Sequence, residues 1–119
     1  MNNIGSELQI SQNFDSGNIE VLQCNQAHDI QLAIKKDYNS GFYQWFHFRL
    51  TGARGQQCML KIINGGGAAY PAGFENYRVL YSYDRKEWRR HYTSLVNGVL
   101  SISFTPEFDS VYFAYFIPY

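Results

Sequence analysis

The sequence predicts an all-β fold: an antiparallel β-sandwich of eight or nine short strands with jelly-roll-like or Greek-key crossings. Three observations carry that expectation. Apolar and polar residues alternate at period two along most of the chain, turn-forming residues separate the runs, and aromatics make up 18% of the 119 residues. Rings and β-branched side chains fit a pleated, half-buried surface, and no stretch shows a sustained 3.6-residue apolar period that would compete with it.

Taken in order, residues 7–10 and 19–22 are weak strand candidates, separated by the turn-former run DSGN at 15–18. Ile30, Leu32 and Ile34 then alternate with Asp29, Gln31 and Lys35, which is the pattern of a strand with one dry face. The run DYNSG at 37–41 reverses the chain, and Phe46, Phe48 and Leu50 alternate with His47 and Arg49. After GARG at 52–55 come residues 58–63, richer in apolar side chains, as are 79–83 and 111–117. Such runs suit central strands or strands covered on both sides. Asp84, Arg85 and Lys86 form a further turn, 87–92 a weak strand, and Leu100, Ile102 and Phe104 alternate with Ser101, Ser103 and Thr105. Asn97-Gly98 is the strongest hairpin signal, because a type I′ turn needs positive φ at both central residues. Residues 64–77 break the rhythm: a long, Gly-rich connection carrying Tyr70, Phe74 and Tyr77, of a length often found to be functional.

The chain is long enough for one domain with a real core and too short for two, so 1–119 reads as a single domain. Ten basic side chains balance ten acidic ones. Without a basic excess to release counterions, nucleic acid is not expected as a partner. No apolar run approaches the roughly 20 residues that span a bilayer, so no membrane role is expected either. The first residues carry no basic n-region and no apolar h-region. Cys24 and Cys58 form no CxxC pair, and both read as reduced, buried thiols. A cytoplasmic location is expected from these points.

Catalytic constellations are missing from the pattern. His28, His47 and His91 have Gln31, Leu50 and Ser94 three residues on, so no His-x-x-Glu zinc pair exists, and no metal site is expected. There is no Gly-x-Ser-x-Gly elbow. The glycines at 65–67 lack the Lys-Ser/Thr and following helix of a phosphate loop. Asp84 and Glu87 lie in or beside a turn, where capping explains them. Trp45 and Trp88 lie near strand starts, and a ring on an outer face can stack on a sugar; a carbohydrate- or ligand-binding module is therefore the alternative reading. Self-association through an aromatic edge is a third. The apolar end, VYFAYFIPY at 111–119, looks designed to lead into a further domain.

Several segments together resemble a known family. FYQWFHFRL at 42–50, LKIIN at 60–64, YSY at 81–83 with Trp88, and YFAYFIPY at 112–119 look like the N-terminal domain of cytosolic carboxypeptidases, which are zinc peptidases with bacterial relatives. FDSGNIE at 14–20 is similar to the start of that domain, and GARG at 52–55 suits the bacterial branch. The likeness runs from about residue 14 to the end. It implies a non-catalytic β-sandwich that precedes a zinc carboxypeptidase domain, packs against it, supports its folding and shapes substrate access. It also implies that the final aromatic stretch is the hinge into that domain. The family's metal ligands and catalytic Glu match no position here, so zinc is expected in the linked domain and no cofactor in this chain. The implied partners are that covalently linked C-terminal domain and, for the whole enzyme, a peptide or protein C-terminus. Within the chain, Asn64, Tyr70, Phe74, Tyr77 and Arg78 are the candidates for the interdomain contact or the rim of the substrate entrance.

Overall fold

The computed structural model describes residues 8–12, 19–34, 46–64 and 78–114, and the statements below concern these. The turns expected at 15–18 and 37–41, Trp45, and the strand residues 115–117 lie outside them, as do Tyr70, Phe74 and Tyr77.

Ten strands and no helix are found among the described residues: β1 (Gln9–Ser11), β2 (Glu20–Gln26), β3 (Asp29–Ala33), β4 (His47–Thr51), β5 (Cys58–Ile62), β6 (Arg78–Ser82), β7 (Arg89–Tyr92), β8 (Ser94–Val96), β9 (Val99–Phe104) and β10 (Ser110–Ala114). They form two five-stranded sheets. The first sheet has the order β1-β4-β10-β6-β7 and the second β2-β3-β5-β9-β8. The sandwich class is as the sequence predicts. The strand number exceeds the expected eight or nine because β8, a three-residue edge strand, carries too short a pattern to read alone.

The period-two residues face each other across the two sheets. From the first sheet come Phe48, Leu50, Val79, Val111 and Phe113; from the second come Ile30, Leu32, Cys58, Leu60, Ile62, Leu100, Ile102 and Phe104, all in one buried cluster. Phe104 and Phe113 meet edge to face across the interior, with ring centroids 5.2 Å apart, and Phe48 lies 5.5 Å from Phe113. Fully burying a Leu, Ile or Phe side chain stabilises by about 1.5–3 kcal/mol, so this interior is the main source of stability.

Asn97 and Gly98 form a two-residue turn between β8 and β9, with φ of 53° and 82° and Val96 opposite Val99. That is the hairpin their sequence predicts. One pairing departs from the all-antiparallel expectation: β3 runs parallel to β5, with Leu32 opposite Ile62. The reason is topological. The chain leaves β3, traverses the opposite sheet as β4 and returns as β5, so two reversals restore its direction. Crossings of this kind occur at β1–β2, β3–β4, β4–β5, β5–β6, β7–β8 and β9–β10, and no residue pattern encodes them.

Of the two thiols, Cys58 is buried on β5 as expected, but Cys24 is only half-buried, because β2 is an edge strand with register shifts between Val21 and Gln26. Among the described residues no helix is long and apolar enough to cross a membrane.

Candidate functional site

Register and connections divide the molecule into two ends. At the turn end, β4 passes into β5 and β9 into β10 through short loops that are tied together: Gly52 N–H donates to the Asp109 carbonyl (3.1 Å) and Gly55 N–H to the Pro106 carbonyl (2.9 Å). The other end therefore gathers the end of β3, the start of β4, the end of β5, the start of β6 and the end of β10. His47 lies opposite Ala114, and Ala114 opposite Leu80, two residues beyond Arg78. Both residues flanking the long connection, Asn64 and Arg78, thus sit at the same end as Ala114, from which the chain runs on towards Tyr119.

Asn64 follows β5 and acts on the backbone. Its Oδ1 accepts from the Ile34 N–H (2.8 Å), and its Nδ2 donates to the Ile34 carbonyl (2.9 Å). With the Ile63 N–H donating to Leu32 O (2.9 Å), this extends the parallel β3–β5 pair past its last ladder residue. Arg78 opens β6, is exposed, and holds its guanidinium 4.6 Å from the Tyr92 ring centroid. Its carbonyl accepts a hydrogen bond from Arg90 Nη1 (3.0 Å). These two candidates stand on different sheets, at a shared end of the sandwich. Tyr70, Phe74 and Tyr77 lie outside the described residues.

The outward face of the first sheet was not legible as a site. Alternation places His47, Ala114, Leu80 and Ser82 on the side away from the core, yet all four are buried. At Leu80, Ser82 and Ala114 strands β6 and β10 are thus covered on both sides, while Arg78 stays exposed and Ser110 and Tyr112 half-buried; the apolar richness of their runs predicts cover of this kind. Trp88, half-buried just before β7, sets its indole against the His47 imidazole with centroids 5.9 Å apart. On the same face Tyr112 lies 6.0 Å from the Arg49 guanidinium and 5.2 Å from that of Arg85. A single buried His in an outward register position is the only hint that the sequence offers, and alternation marks it as solvated.

The histidines are spread over the fold. His28 is exposed in the β2–β3 turn, His47 faces outward from β4, and the His91 ring packs on Phe104 at 5.0 Å. Among the described residues no group of three His, Cys, Asp or Glu side chains is placed to hold a metal ion. Burial pushes the Cys58 thiol up to about 11, with a further contribution from nearby Cys24, so neither cysteine is activated as a nucleophile.

Asp84 serves its own turn. Its Oδ1 accepts from the Glu87 N–H (3.0 Å), the Lys86 N–H (2.8 Å) and the Ser82 hydroxyl (3.0 Å), and these bonds hold its carboxyl below the ordinary carboxylate value. The Ser82 Oγ in turn accepts from the Asp84 and Arg85 N–H groups.

Comparison with known proteins places this architecture. Residues 10–116 match the family described as the cytosolic carboxypeptidase N-terminal domain. A metallo-carboxypeptidase from Burkholderia cenocepacia superposes with a TM-score of 0.91 and 46% identity, over 95% of this chain and 30% of that one. A metallo-carboxypeptidase from Pseudomonas aeruginosa, solved in complex with (2-guanidinoethylmercapto)succinic acid, does so with a TM-score of 0.89 and 38% identity, over 93% and 30%. An uncharacterised protein of Zymomonas mobilis is 44% identical over 112 residues, which are 94% of this chain and 29% of that protein. The chain thus spans about 30% of the length of the relatives it matches. On the family match and on these identities, it belongs to the cytosolic carboxypeptidase N-terminal domain family.

Proposed function

We propose that this chain is the non-catalytic N-terminal domain of a zinc metallocarboxypeptidase, 1–119 forming one domain whose catalytic partner follows Tyr119. It packs against that partner, supports its folding and limits the approach of bulky substrates. The observation that carries the reading is the convergence of Asn64, Arg78 and Ala114 at one end of the sandwich. A following domain enters at that end, beside the roots of the long connection. The loop residues Tyr70, Phe74 and Tyr77, with Arg78 and Asn64, then form the contact or the rim of the substrate entrance. The relatives that this domain matches over 30% of their length are metallo-carboxypeptidases, which supports placing zinc and the hydrolytic chemistry in the remaining part. Their substrates would be peptide or protein C-termini. The family's own name supports a cytosolic location.

The test is a metal analysis and carboxypeptidase assay on this chain beside the longer protein that carries it. Zinc and activity are expected only in the longer protein. Stoichiometric zinc, or peptide hydrolysis, by the 119-residue chain alone overturns the reading. For the contact itself, Tyr70→Ala with Phe74→Ala should weaken interdomain association while leaving the melting temperature of this domain nearly unchanged. A large loss of domain stability would instead show that these rings serve the sandwich.

A further inference from the structure

The turn end, opposite Ala114, carries a cleft of about 580 Å³ that no part of the proposed function uses. It lies between the β6–β7 turn and the β9–β10 turn. The Glu107 N–H donates a hydrogen bond to the Tyr83 hydroxyl across it (3.1 Å). The floor is aromatic and fixed. Tyr81 meets Phe104 edge to face at 4.8 Å, His91 meets Phe104 at 5.0 Å, and His91 Nε2 is held 2.6 Å from the Ser103 carbonyl. A second ring pair, Tyr83 and Phe108 at 4.8 Å, forms a flank, and Phe108 stays 53% exposed. A large, exposed phenyl held in place by a ring partner is the part of this cleft that its fold does not require.

The charged groups around these rings are unequal in sign. Asp84, Glu87 and Glu107 line the cleft, against the single guanidinium of Arg89. Lys86, in the same turn, is not among the lining residues, and Arg85 directs its guanidinium at Tyr112 on the outward face. The ion pair Lys61–Asp29 lies on the second sheet, and none of the three carboxylates is in a salt bridge among the described residues. Aromatic faces attract cations through their quadrupole, and carboxylates beside them add a longer-range field of the same preference. The volume falls within the roughly 300–1,000 Å³ of small-ligand sites.

From this combination we infer that the cleft binds a primary alkylammonium group, as on a lysine side chain of a peptide, with its methylene stem against Tyr83 and Phe108 and its charge towards Glu87 and Glu107. Asp84 stays committed to its turn and contributes charge only. A neutral ring ligand would satisfy the rings but leave the carboxylates unused, and an anion would meet three like charges.

The experiment is a nuclear magnetic resonance titration of the whole chain with Nα-acetyl-lysine methyl amide, and in parallel with its Nε-acetylated, uncharged counterpart. Saturable shifts are expected for the charged probe, centred on the turns at 83–88 and 105–109, with binding at least about fivefold weaker for the neutral probe. The pair Glu87→Gln and Glu107→Gln, both exposed positions, should weaken the charged probe by roughly tenfold with an unchanged melting temperature. Phe108→Ala should weaken both probes. Equal binding of the two probes, shifts elsewhere on the molecule, or no saturation at millimolar concentration each overturn the inference. None of these results bears on whether zinc and peptidase activity reside in the longer protein.

Discussion

The side chain of Asn64 does for Ile34 what a neighbouring strand would do: its amide accepts from the N–H and donates to the carbonyl of that one residue, at 2.8 and 2.9 Å. It thereby continues the parallel ladder of β3 and β5 at the point where both strands leave the sheet. Replacing it by Ala removes both bonds and leaves the two backbone groups of buried Ile34 to find other partners. Asn64→Ala should therefore cost about 1–3 kcal/mol in chemical denaturation. Asn64→Asp, which keeps the acceptor and loses the donor, should fall between. A cost below about 0.3 kcal/mol for Ala would show that the bridge contributes nothing.

The hairpin at Asn97-Gly98 gives a second expectation. Gly98 has φ of 82° and Asn97 of 53°, both in the left-handed region. Gly98→Ala should destabilise by roughly 1 kcal/mol, Asn97→Gly should be nearly neutral, and Asn97→Val should cost more than either, since a β-branched residue tolerates this conformation worst. Thermal melts of the three variants provide the ranking, and a neutral Asn97→Val would contradict it.

Acid should act through Asp84. Hydrogen bonds from the Glu87 and Lys86 N–H groups keep its folded carboxyl below the ordinary 3.8. Its contribution is thus present above that value and is lost as pH falls through the lower folded pKa. Asp84→Asn keeps an acceptor oxygen but has no proton to take up. Stability measured from pH 6 to pH 2 should fall less steeply for the variant below about pH 4. Parallel curves for the two proteins would refute the assignment.

Alkali should act through Cys58, with the opposite sign. The folded thiol is pushed from 9.0 up to about 11 by burial, chiefly, and by Cys24. An unfolded chain sheds this proton first, so the stabilisation is complete below pH 9 and disappears as pH rises towards 11. A thiol reagent at pH 8 should label half-buried Cys24 first, with Cys58 reacting only at the rate of unfolding. Fast labelling of two equivalents in the native protein would contradict its burial.

What the sequence made legible were the features with a short-range cause. Ile30, Leu32, Phe48, Leu50, Leu100 and Ile102 all face the interior as alternation requires, and Asn97-Gly98 turns as its φ preference demands. The parallel β3–β5 pair was illegible because it depends on how often the chain changes sheets, which no local pattern records. The burial of His47 was hidden for a related reason: it depends on what lies over the sheet, while alternation reports only the side away from the core. Of the candidate site, Asn64 and Arg78 are placed, one as a backbone clamp and one as the cation of an exposed contact with the Tyr92 ring. The cleft went unnoticed because Tyr83, Glu87 and Phe108 come from turns more than twenty residues apart, and each alone reads as ordinary turn or strand-end chemistry.

The position of β10 has a consequence for synthesis on the ribosome. Of the described strands it is the last to emerge, yet it lies in the middle of the first sheet, between β4 and β6. Until residue 114 clears the exit tunnel, β4 and β6 each hold one bare row of backbone donors and acceptors, and Phe48 lacks Phe113. The second sheet has all its described strands by then; the first waits for β10 and then zips on both sides of it. A chaperone that shields strand edges is most needed in that interval, and a message broken just before β10 would release a chain with two adhesive edges and no means of covering them.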